Sequence, residues 1–321
     1  MKKALICGVS GQDGAYLAKL LIGKGYQVWG TSRDAQVASL DNLKALGILE
    51  SVTPLSMAQT DFRSVLNSLI QSDPDEVYFL SGQSSVGLSF DQPAETMESI
   101  SLGALNMLEA IRFVGKPIKF YHASSSECFG DVGQTRATES TPFRPRSPYG
   151  VAKASAHWLV TNYREAYGLF ACNGILFNHE SPLRPPRFVT RKIIASACRI
   201  AKGAKETLTL GRLDIVRDWG WTPEYVEAMW RMLQAESADD YVIATGHSAR
   251  LSDFVSLAFG KLGLDWKEFV KSDMSLFRPL DITFSAGDPG KAKKVLGWSA
   301  STLLPELVLK LVSAEYGETV L

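Results

Sequence analysis

The sequence has no excess charge and no long apolar run. Its 321 residues include 34 Lys plus Arg and 34 Asp plus Glu, so the net charge is zero with neutral histidines. Nucleic-acid-binding proteins usually carry an excess of basic residues, so we do not expect nucleic acid as a partner. No apolar stretch reaches the roughly 18 residues that a transmembrane helix needs, so we expect no membrane partner either.

Cysteine is scarce and scattered. The four cysteines, Cys7, Cys128, Cys172 and Cys198, form no CxxC pair, so we expect neither a structural zinc site nor a disulfide framework. Reduced and mostly buried thiols are predicted, with no metal site. The two N-terminal lysines precede an apolar run too short for a signal peptide, so we expect a cytoplasmic protein.

Apolar runs alternate with amphipathic segments in the first half of the chain. We predict strands at 4–7, 26–31, 52–56, 76–80, 119–122 and 171–177, and helices at 13–22, 39–46, 62–70, 102–111 and 148–166. Such alternation indicates a parallel sheet covered on both faces, and right-handed crossovers make it a doubly wound Rossmann-type α/β fold. We therefore expect a Rossmann domain over about residues 1–178.

The chain changes in character after residue 178. Polar, proline-rich loops separate predicted helices at 190–202, 223–234, 251–262, 289–296 and 303–315. This pattern predicts a smaller, mostly helical substrate lobe over residues 179–321, with possible chain crossings back to the first domain.

A glycine-rich turn follows the first predicted strand. Residues 8–14 have the spacing G-x-x-G-x-x-G and lead into the first predicted helix. Glycines allow a close approach of backbone to a pyrophosphate, and a helix N-terminus offers N–H groups and a positive dipole. We predict a dinucleotide site containing Gly8, Ser10, Gly11, Gln12, Asp13 and Gly14.

The residues after the second predicted strand bear on the choice of dinucleotide. An acidic residue there favours NAD, whereas an arginine accommodates the 2′-phosphate of NADP. Arg33 comes first and Asp34 follows, so we expect NADP and leave NAD open. Asp61 follows the third strand, where it is a candidate both for the adenine amino group and for the N-cap of the next helix.

A second group of residues suits acid–base catalysis. Tyr149 and Lys153 lie four residues apart in a predicted helix and therefore share a face. An ammonium beside a phenol, together with the charge of a nicotinamide, is expected to lower the pKa of Tyr149 into a usable range. Ser125 and Glu127 follow the fifth predicted strand, at the sheet edge where ligands of open α/β folds bind.

In these motifs the chain resembles the extended short-chain dehydrogenase/reductases, and among them the GDP-mannose 4,6-dehydratase family. The resemblance covers nearly the whole chain, and its specific segments are 11–17 (GQDGAYL), 146–153 (RSPYGVAK), 177–182 (FNHESP), 188–192 (FVTRK), 217–220 (RDWG) and 225–230 (YVEAMW). The family implies a hydro-lyase that dehydrates a GDP-sugar with NADP kept bound. In it Tyr149 takes the sugar O4 proton, Glu127 acts at C5 and C6, and Ser125 hydrogen-bonds the sugar.

The resemblance also implies contacts beyond the catalytic group. Further cofactor contacts would come from Asp61, Phe62, Leu80, Ser81, Gly82, Gln83, Ser84, His179 and Arg184, besides Tyr149 and Lys153. The nucleotide-sugar would lie against Ser85, Ser126, Asn178, Val189, Lys192, Arg217 and Arg278.

Some positions depart from the family pattern. The loop at 34–39 lacks the paired arginines and serines with which relatives build a tetramer, so we expect a homodimer and leave the tetramer open. Ser125 replaces a threonine but keeps the hydroxyl. Departures near the ligand leave open another hexose or a heptose on GDP; they are Glu95, Arg212, Val216, Asp281 and Thr283. A dehydratase or epimerase for another nucleotide sugar, and a non-catalytic NADP-binding sensor, are the alternatives.

Overall fold

The structure, a computed structural model, describes residues 1–277 and 279–317. Its strands are β1 (Lys3–Cys7), β2 (Gln27–Ser32), β3 (Val52–Ser56), β4 (Glu76–Phe79), β5 (Lys119–Ser125), β6 (Ala171–Leu176), β7 (Asn178–Glu180), β8 (Leu208–Leu210), β9 (Val216–Trp221), β10 (Asp240–Ile243), β11 (Ser248–Arg250) and β12 (Val270–Ser272). Its helices are α1 (Gln12–Gly23), α2 (Asp41–Ala45), α3 (Phe62–Ser72), α4 (Val86–Asp91), α5 (Pro93–Met97), α6 (Gly103–Val114), α7 (Pro148–Tyr167), α8 (Val189–Ala201), α9 (Thr222–Gln234), α10 (Leu251–Gly260), α11 (Gly290–Leu296) and α12 (Leu304–Tyr316).

A seven-stranded parallel sheet forms the centre of the molecule. Its strand order is β10-β6-β5-β4-β1-β2-β3, and the central strands are apolar and buried because helices cover both faces. Helices α1 and α9 pack on one face, and α3, α6 and α7 pack on the other. The predicted doubly wound Rossmann-type fold is confirmed.

The chain after residue 178 contributes to two layers. Helices α8, α10 and α12 share a separate apolar core, beside the small sheets β11-β9-β7 and β12-β8. Strand β10, however, pairs with β6 at the edge of the main sheet, and α9 packs against α1. The segment from α9 to β10 therefore returns to the first half of the chain. Helix α11 also packs there, against β10 and α9, whereas α10 and α12 belong to the second core.

Two general properties match or complement the sequence analysis. All four cysteines are buried and unpaired, as predicted. None of the helices in the described ranges combines the length and the apolarity that a membrane crossing needs.

Candidate functional site

The glycine turn between β1 and α1 has the geometry of a phosphate-binding turn. Gly8 has a φ of +86°, in the left-handed region, and a Cβ on it would lie 3.2 Å from the Ser81 backbone. A Cβ on Gly14 would lie 2.4 Å from the Gly8 carbonyl oxygen, so only glycine fits there. Gly11 occupies the N-cap without any side-chain hydrogen bond to the helix, which leaves the N-terminus of α1 open to an anion.

Gln12 ties this turn to the second half of the chain. Its side-chain nitrogen donates to the His179 carbonyl at 3.2 Å, and its oxygen accepts from the Ser181 hydroxyl at 2.7 Å. The amide is buried. Gln12 therefore holds the turn against the segment that begins with β7.

His179 and Asp13 form an ion pair beside the turn. His179 places Nδ1 2.8 Å from the Phe177 carbonyl and Nε2 3.0 Å from Asp13 Oδ2. Both oxygens can only accept, so the doubly protonated imidazolium satisfies both contacts. Burial lowers the pKa of His179, but the Asp13 charge outweighs it and raises that pKa. Burial likewise raises the pKa of Asp13, but His179 and then Arg184 bring it down to about 2.

The predicted catalytic residues converge where β5 ends and α7 begins. Ser147 caps α7 by accepting from the Gly150 N–H at 3.0 Å. Lys153 donates to the Ala123 carbonyl at 2.7 Å, with its nitrogen 5.8 Å from the centre of the Tyr149 ring. Burial lowers the pKa of Lys153 to about 8, so part of its population gives up a proton near neutral pH.

Glu127 lies in a single turn, Ser126–Cys128, that follows β5 directly. Its backbone N–H donates to the Ser125 hydroxyl at 3.3 Å. The Ser125 hydroxyl at the end of β5 and the Glu127 side chain in the turn that follows therefore line the same cavity, two residues apart.

The residues of the protein alone do not lower the pKa of Tyr149, and the lowering expected with a bound nicotinamide stays a prediction. Burial raises the pKa of the phenol, and a hydrogen bond with Ser125 offsets only part of that rise. The ammonium of Lys153 is directed to the Ala123 carbonyl and does not reverse the effect. A phenolate at this position needs further positive charge from a bound ligand.

One cavity of about 390 Å³ brings most of the predicted residues together. It is lined by the four catalytic candidates and by Asp13, Leu80, Ser84, Ser85, Ser126, Asn178, His179, Arg184, Val189, Lys192 and Arg217. The remaining predicted cofactor residues lie outside its lining; they are Gly8, Ser10, Gly11, Gln12, Gly14, Arg33, Asp61, Phe62, Ser81, Gly82 and Gln83. Arg278 lies outside the described residues.

Residues predicted for the adenosine end are more exposed. Arg33 is exposed directly after β2. Asp61 accepts from the N–H groups of Arg63 and Ser64 at 2.9 and 3.5 Å, so the capping alternative is realised, while the adenine contact stays a prediction. Phe62 is 37% exposed and makes an edge contact with Phe113.

A second part of the cavity lining, contributed by α8 and β9, presents two cations that donate to backbone oxygens. Lys192 donates to the Thr209 carbonyl at 2.7 Å. Arg217 is buried and donates to the carbonyls of Val216 and Ile282 at 2.9 and 2.8 Å. The positive charges of these two side chains suit this part of the lining to an anionic ligand.

The sequence reasoning missed several lining residues. Arg187 and Phe188 lie in the proline-rich loop before α8, and the Arg184 guanidinium sits 3.8 Å above the Phe188 ring. Arg212 and Asp281, noted only as departures, also line the cavity. The two arginines beside the FNHESP segment were the available signal for this loop. Within the described ranges no cluster of His, Cys, Asp and Glu is arranged to hold a metal ion.

Comparison with known proteins extends this picture. The family profile described as GDP-mannose 4,6 dehydratase matches residues 5–311. The chain belongs to the GDP-mannose 4,6-dehydratase family. GDP-mannose 4,6 dehydratase 2 of Arabidopsis thaliana is 45% identical over 98% of this chain and 87% of its own. GDP-mannose 4,6-dehydratase of Vibrio cholerae is 42% identical over 97% of this chain and 93% of its own.

Solved structures share the fold of this family member. The Thermus thermophilus UDP-glucose 4-epimerase complex with NAD has a TM-score of 0.85 at 24% identity, covering 98% of this chain and 99% of the epimerase. RMD from Pseudomonas aeruginosa complexed with NADPH has a TM-score of 0.81 at 21% identity and covers 99% of both chains. At these identities the likeness shows the fold alone.

Proposed function

We propose that the protein is a GDP-mannose 4,6-dehydratase, a hydro-lyase that converts GDP-mannose to GDP-4-keto-6-deoxymannose. The observation that carries the proposal is the placement of Glu127 on the same cavity wall as Tyr149 and Lys153. A tyrosine–lysine pair suffices for a simple oxidation or epimerisation at C4. A carboxylate beside it adds the second acid–base group that an elimination across C5 and C6 needs.

The residues present fit a nicotinamide dinucleotide, which we propose to be NADP. The uncapped N-terminus of α1 and the Gly8 turn suit the pyrophosphate, and the exposed Arg33 suits a 2′-phosphate. When bound, this cofactor would supply the hydride acceptor for C4 of the sugar and the hydride donor for C6. An Arg33→Ala variant should lose affinity for NADP while keeping that for NAD, measured by titration of both; equal losses would contradict the NADP assignment.

The chain's own residues move the protons. Tyr149 takes the O4 proton as C4 is oxidised, while the Ser125 hydroxyl hydrogen-bonds the sugar oxygen. The resulting ketone acidifies the C5–H bond, so Glu127 can remove that proton and pass it to the departing C6 hydroxyl. Water leaves with the C5 proton, so C5 must regain a proton when C6 receives the hydride, and Tyr149 holds the one it took from O4. The ring then ends as a 4-keto-6-deoxy sugar with no net oxidation or reduction.

The second wall suits the GDP part of the substrate. Lys192 and Arg217 offer two cations to a diphosphate that carries at least two negative charges. In this proposal the positive charges that bind the diphosphate lie on one wall, and the groups that transfer protons lie on the other.

The activity is tested with purified protein, GDP-mannose and a trace of NADP. We expect a product lighter than the substrate by one water and no accumulation of NADPH. An isomer of unchanged mass would favour the epimerase alternative. Binding of both ligands without any product would favour the non-catalytic sensor.

We also propose a homodimer through α6 and α7. Leu102, Phe113, Val151 and Trp158 are 39–73% exposed apolar side chains on these adjacent helices or the turn before α6. Analytical ultracentrifugation should show a dimer that Trp158→Glu converts to a monomer. Met274→Glu, which changes an exposed apolar residue elsewhere, is the control and should stay dimeric.

A further inference from the structure

A chain of polar groups lies behind the catalytic wall, which is the part of the cavity lining formed by Ser125, Glu127, Tyr149 and Lys153. The Ser124 hydroxyl on β5 is 3.2 Å from Nδ1 of His157 on α7. Nε2 of the same ring faces Asp240 Oδ2 on β10 at 3.5 Å. Ser124 and His157 are each 3% exposed. These groups connect the catalytic strand end to two other elements, and no step of the proposed reaction uses them.

His157 belongs to the same face of α7 as the catalytic pair. Tyr149, Lys153 and His157 follow one another at intervals of four residues, so they lie in one row along the helix. Lys153 contacts the backbone of Ala123, and His157 contacts the side chain of the next residue, Ser124. Helix α7 therefore contacts the end of β5 at two consecutive residues.

The environment of Asp240 determines which ring nitrogen carries hydrogen. Burial raises the pKa of Asp240, but hydrogen bonds from His157 and Arg164 outweigh it and hold that pKa well below its usual range. Arg164 donates to both carboxylate oxygens, at 2.8 and 3.0 Å. A carboxylate can only accept, so Nε2 carries a hydrogen, and in the neutral ring Nδ1 accepts from the Ser124 hydroxyl.

Ser124 has a second partner beyond the catalytic turn. Its oxygen is 3.8 Å from Cys128 Sγ, and burial raises the pKa of that thiol to about 12. The thiol therefore keeps its hydrogen and can donate it to Ser124 when the Ser124 hydroxyl donates to the neutral His157 ring. Ser124 and Cys128 flank residues 125–127, so this chain of hydrogen bonds ties both ends of the segment that carries Ser125 and Glu127.

We propose that His157 is a positioning residue that fixes the Ser125–Glu127 segment through Ser124. The inference rests on the proposed dehydratase activity, in which one carboxylate must reach both C5 and C6. A displacement of roughly 1 Å in such a group costs on the order of 100-fold in rate. Lys192 and Arg217 lie on other elements, so loss of this support should lower kcat and leave KM nearly unchanged.

The hydrogen-bond chain can be tested without substrate. Nitrogen NMR of the ¹⁵N-histidine-labelled holoprotein gives few ring-nitrogen signals, since the chain has four histidines. The pair of signals that is missing from His157→Asn belongs to His157. We expect the tautomer with hydrogen on Nε2, and an altered Nδ1 signal in Ser124→Ala. Hydrogen on Nδ1, or an unaltered signal in Ser124→Ala, would overturn the inference.

Two substitutions at one position test the effect on catalysis. Asparagine places an oxygen near the position of Nδ1 and keeps an acceptor for Ser124, whereas glutamine places its amide near Nε2 and keeps only the Asp240 contact. We expect His157→Gln and Ser124→Ala to lower kcat and exchange at C5 by roughly 10- to 100-fold, with His157→Asn within about 3-fold of wild type.

The outcomes separate this inference from the function on which it rests. Equal effects of the asparagine and glutamine variants, or a change in KM alone, would overturn the positioning role while wild-type activity stands. A wild-type protein that does not dehydrate GDP-mannose would overturn the proposed function, and the NMR experiment would still decide the hydrogen-bond chain.

Discussion

The two walls of the cavity are built in different ways. On the catalytic wall, Ser125, Glu127, Tyr149 and Lys153 stand on elements of the main sheet layer, and Lys153 and its neighbours are fixed by buried partners. On the nucleotide wall, the side chains of Lys192 and Arg217 donate to backbone carbonyls. The first wall suits the proton transfers that we propose, whereas the second suits the binding of an anionic ligand.

This contrast predicts two kinds of mutational effect. Changes on the catalytic wall should lower kcat, because they act on groups that matter in the transition state. Changes on the nucleotide wall should raise KM, because they weaken the ground state and the transition state alike.

The largest effect is expected for Glu127→Gln. The amide cannot accept the C5 proton, so kcat should fall by roughly 1,000- to 10,000-fold while GDP-mannose still binds. Because C4 oxidation precedes the blocked step, reduced cofactor should accumulate on the enzyme during a single turnover. Glu236→Gln, at an exposed position, is the matched control and should behave as wild type. Turnover near the wild-type rate in Glu127→Gln would contradict the assigned role.

A somewhat smaller loss is expected for Tyr149→Phe. Without the phenol the O4 proton has no acceptor in place, so kcat should fall by roughly 100- to 1,000-fold. In contrast to the glutamate variant, no reduced cofactor should accumulate, since the first step is the one impaired. Rapid-mixing absorbance measurements distinguish the two variants. Accumulation of reduced cofactor in Tyr149→Phe would contradict the assignment of Tyr149 to the first step.

Lys192→Met tests the nucleotide wall. Loss of one charged hydrogen bond to the diphosphate should weaken GDP binding by roughly 1.5–3 kcal/mol, seen as a higher KM at little-changed kcat. Isothermal titration with GDP measures the loss directly. Lys202→Met removes an exposed lysine that donates to the Tyr316 carbonyl, and should leave GDP affinity unaltered. A kcat defect in Lys192→Met would remove the contrast between the walls.

The smallest effect concerns the ion pair of Asp13 and His179 beside the glycine turn. The folded pKa of Asp13 is about 2 against an ordinary 3.8, so its contribution to stability is present above pH 3.8 and lost as pH falls through 2. His179 has a raised pKa, so its contribution is present below its ordinary value of 6.5 and lost as pH rises through the raised one. When the pH falls from 3.8 to 2, the free energy of unfolding measured with urea should decrease by roughly 1–2 kcal/mol.

An asparagine at position 13 should flatten that acid slope. Asp13→Asn has no charge to protonate, so its free energy of unfolding should change less between pH 3.8 and 2. The exposed Asp91→Asn should follow the wild type. An acid slope in Asp13→Asn as steep as in the wild type would contradict the ion-pair account.

Much of the catalytic wall could be predicted from the sequence because local pattern determines it. The strand-turn-helix at residues 3–23 and the four-residue spacing of Tyr149 and Lys153 are local signals, and both gave residues that the structure places as expected. Strand β5 runs three residues past its predicted end, since Ala123, Ser124 and Ser125 pair with β6 although they lack bulky apolar side chains. Short helices such as α4 and α5 were missed because too few turns exist to show a period.

Long-range polar contacts could not be predicted. Ser124, His157 and Asp240 come together only when β5, α7 and β10 are packed. Within its own segment, none of the three residues indicates a contact with the other two. The raised pKa of Tyr149 in the protein alone could not be predicted for the same reason, since burial depends on the assembled core. Return of the chain at β10 to the main sheet likewise depends on tertiary packing.

The central claim is that one site oxidises C4 and reduces C6 of the same sugar. It is tested most directly with GDP-mannose carrying deuterium at C4, incubated with the protein and a trace of unlabelled NADP. The account predicts a product that has lost water and carries the deuterium at C6. Deuterium released into solvent or into free NADPH, or retained at C4 in an unchanged or epimerised sugar, would contradict it.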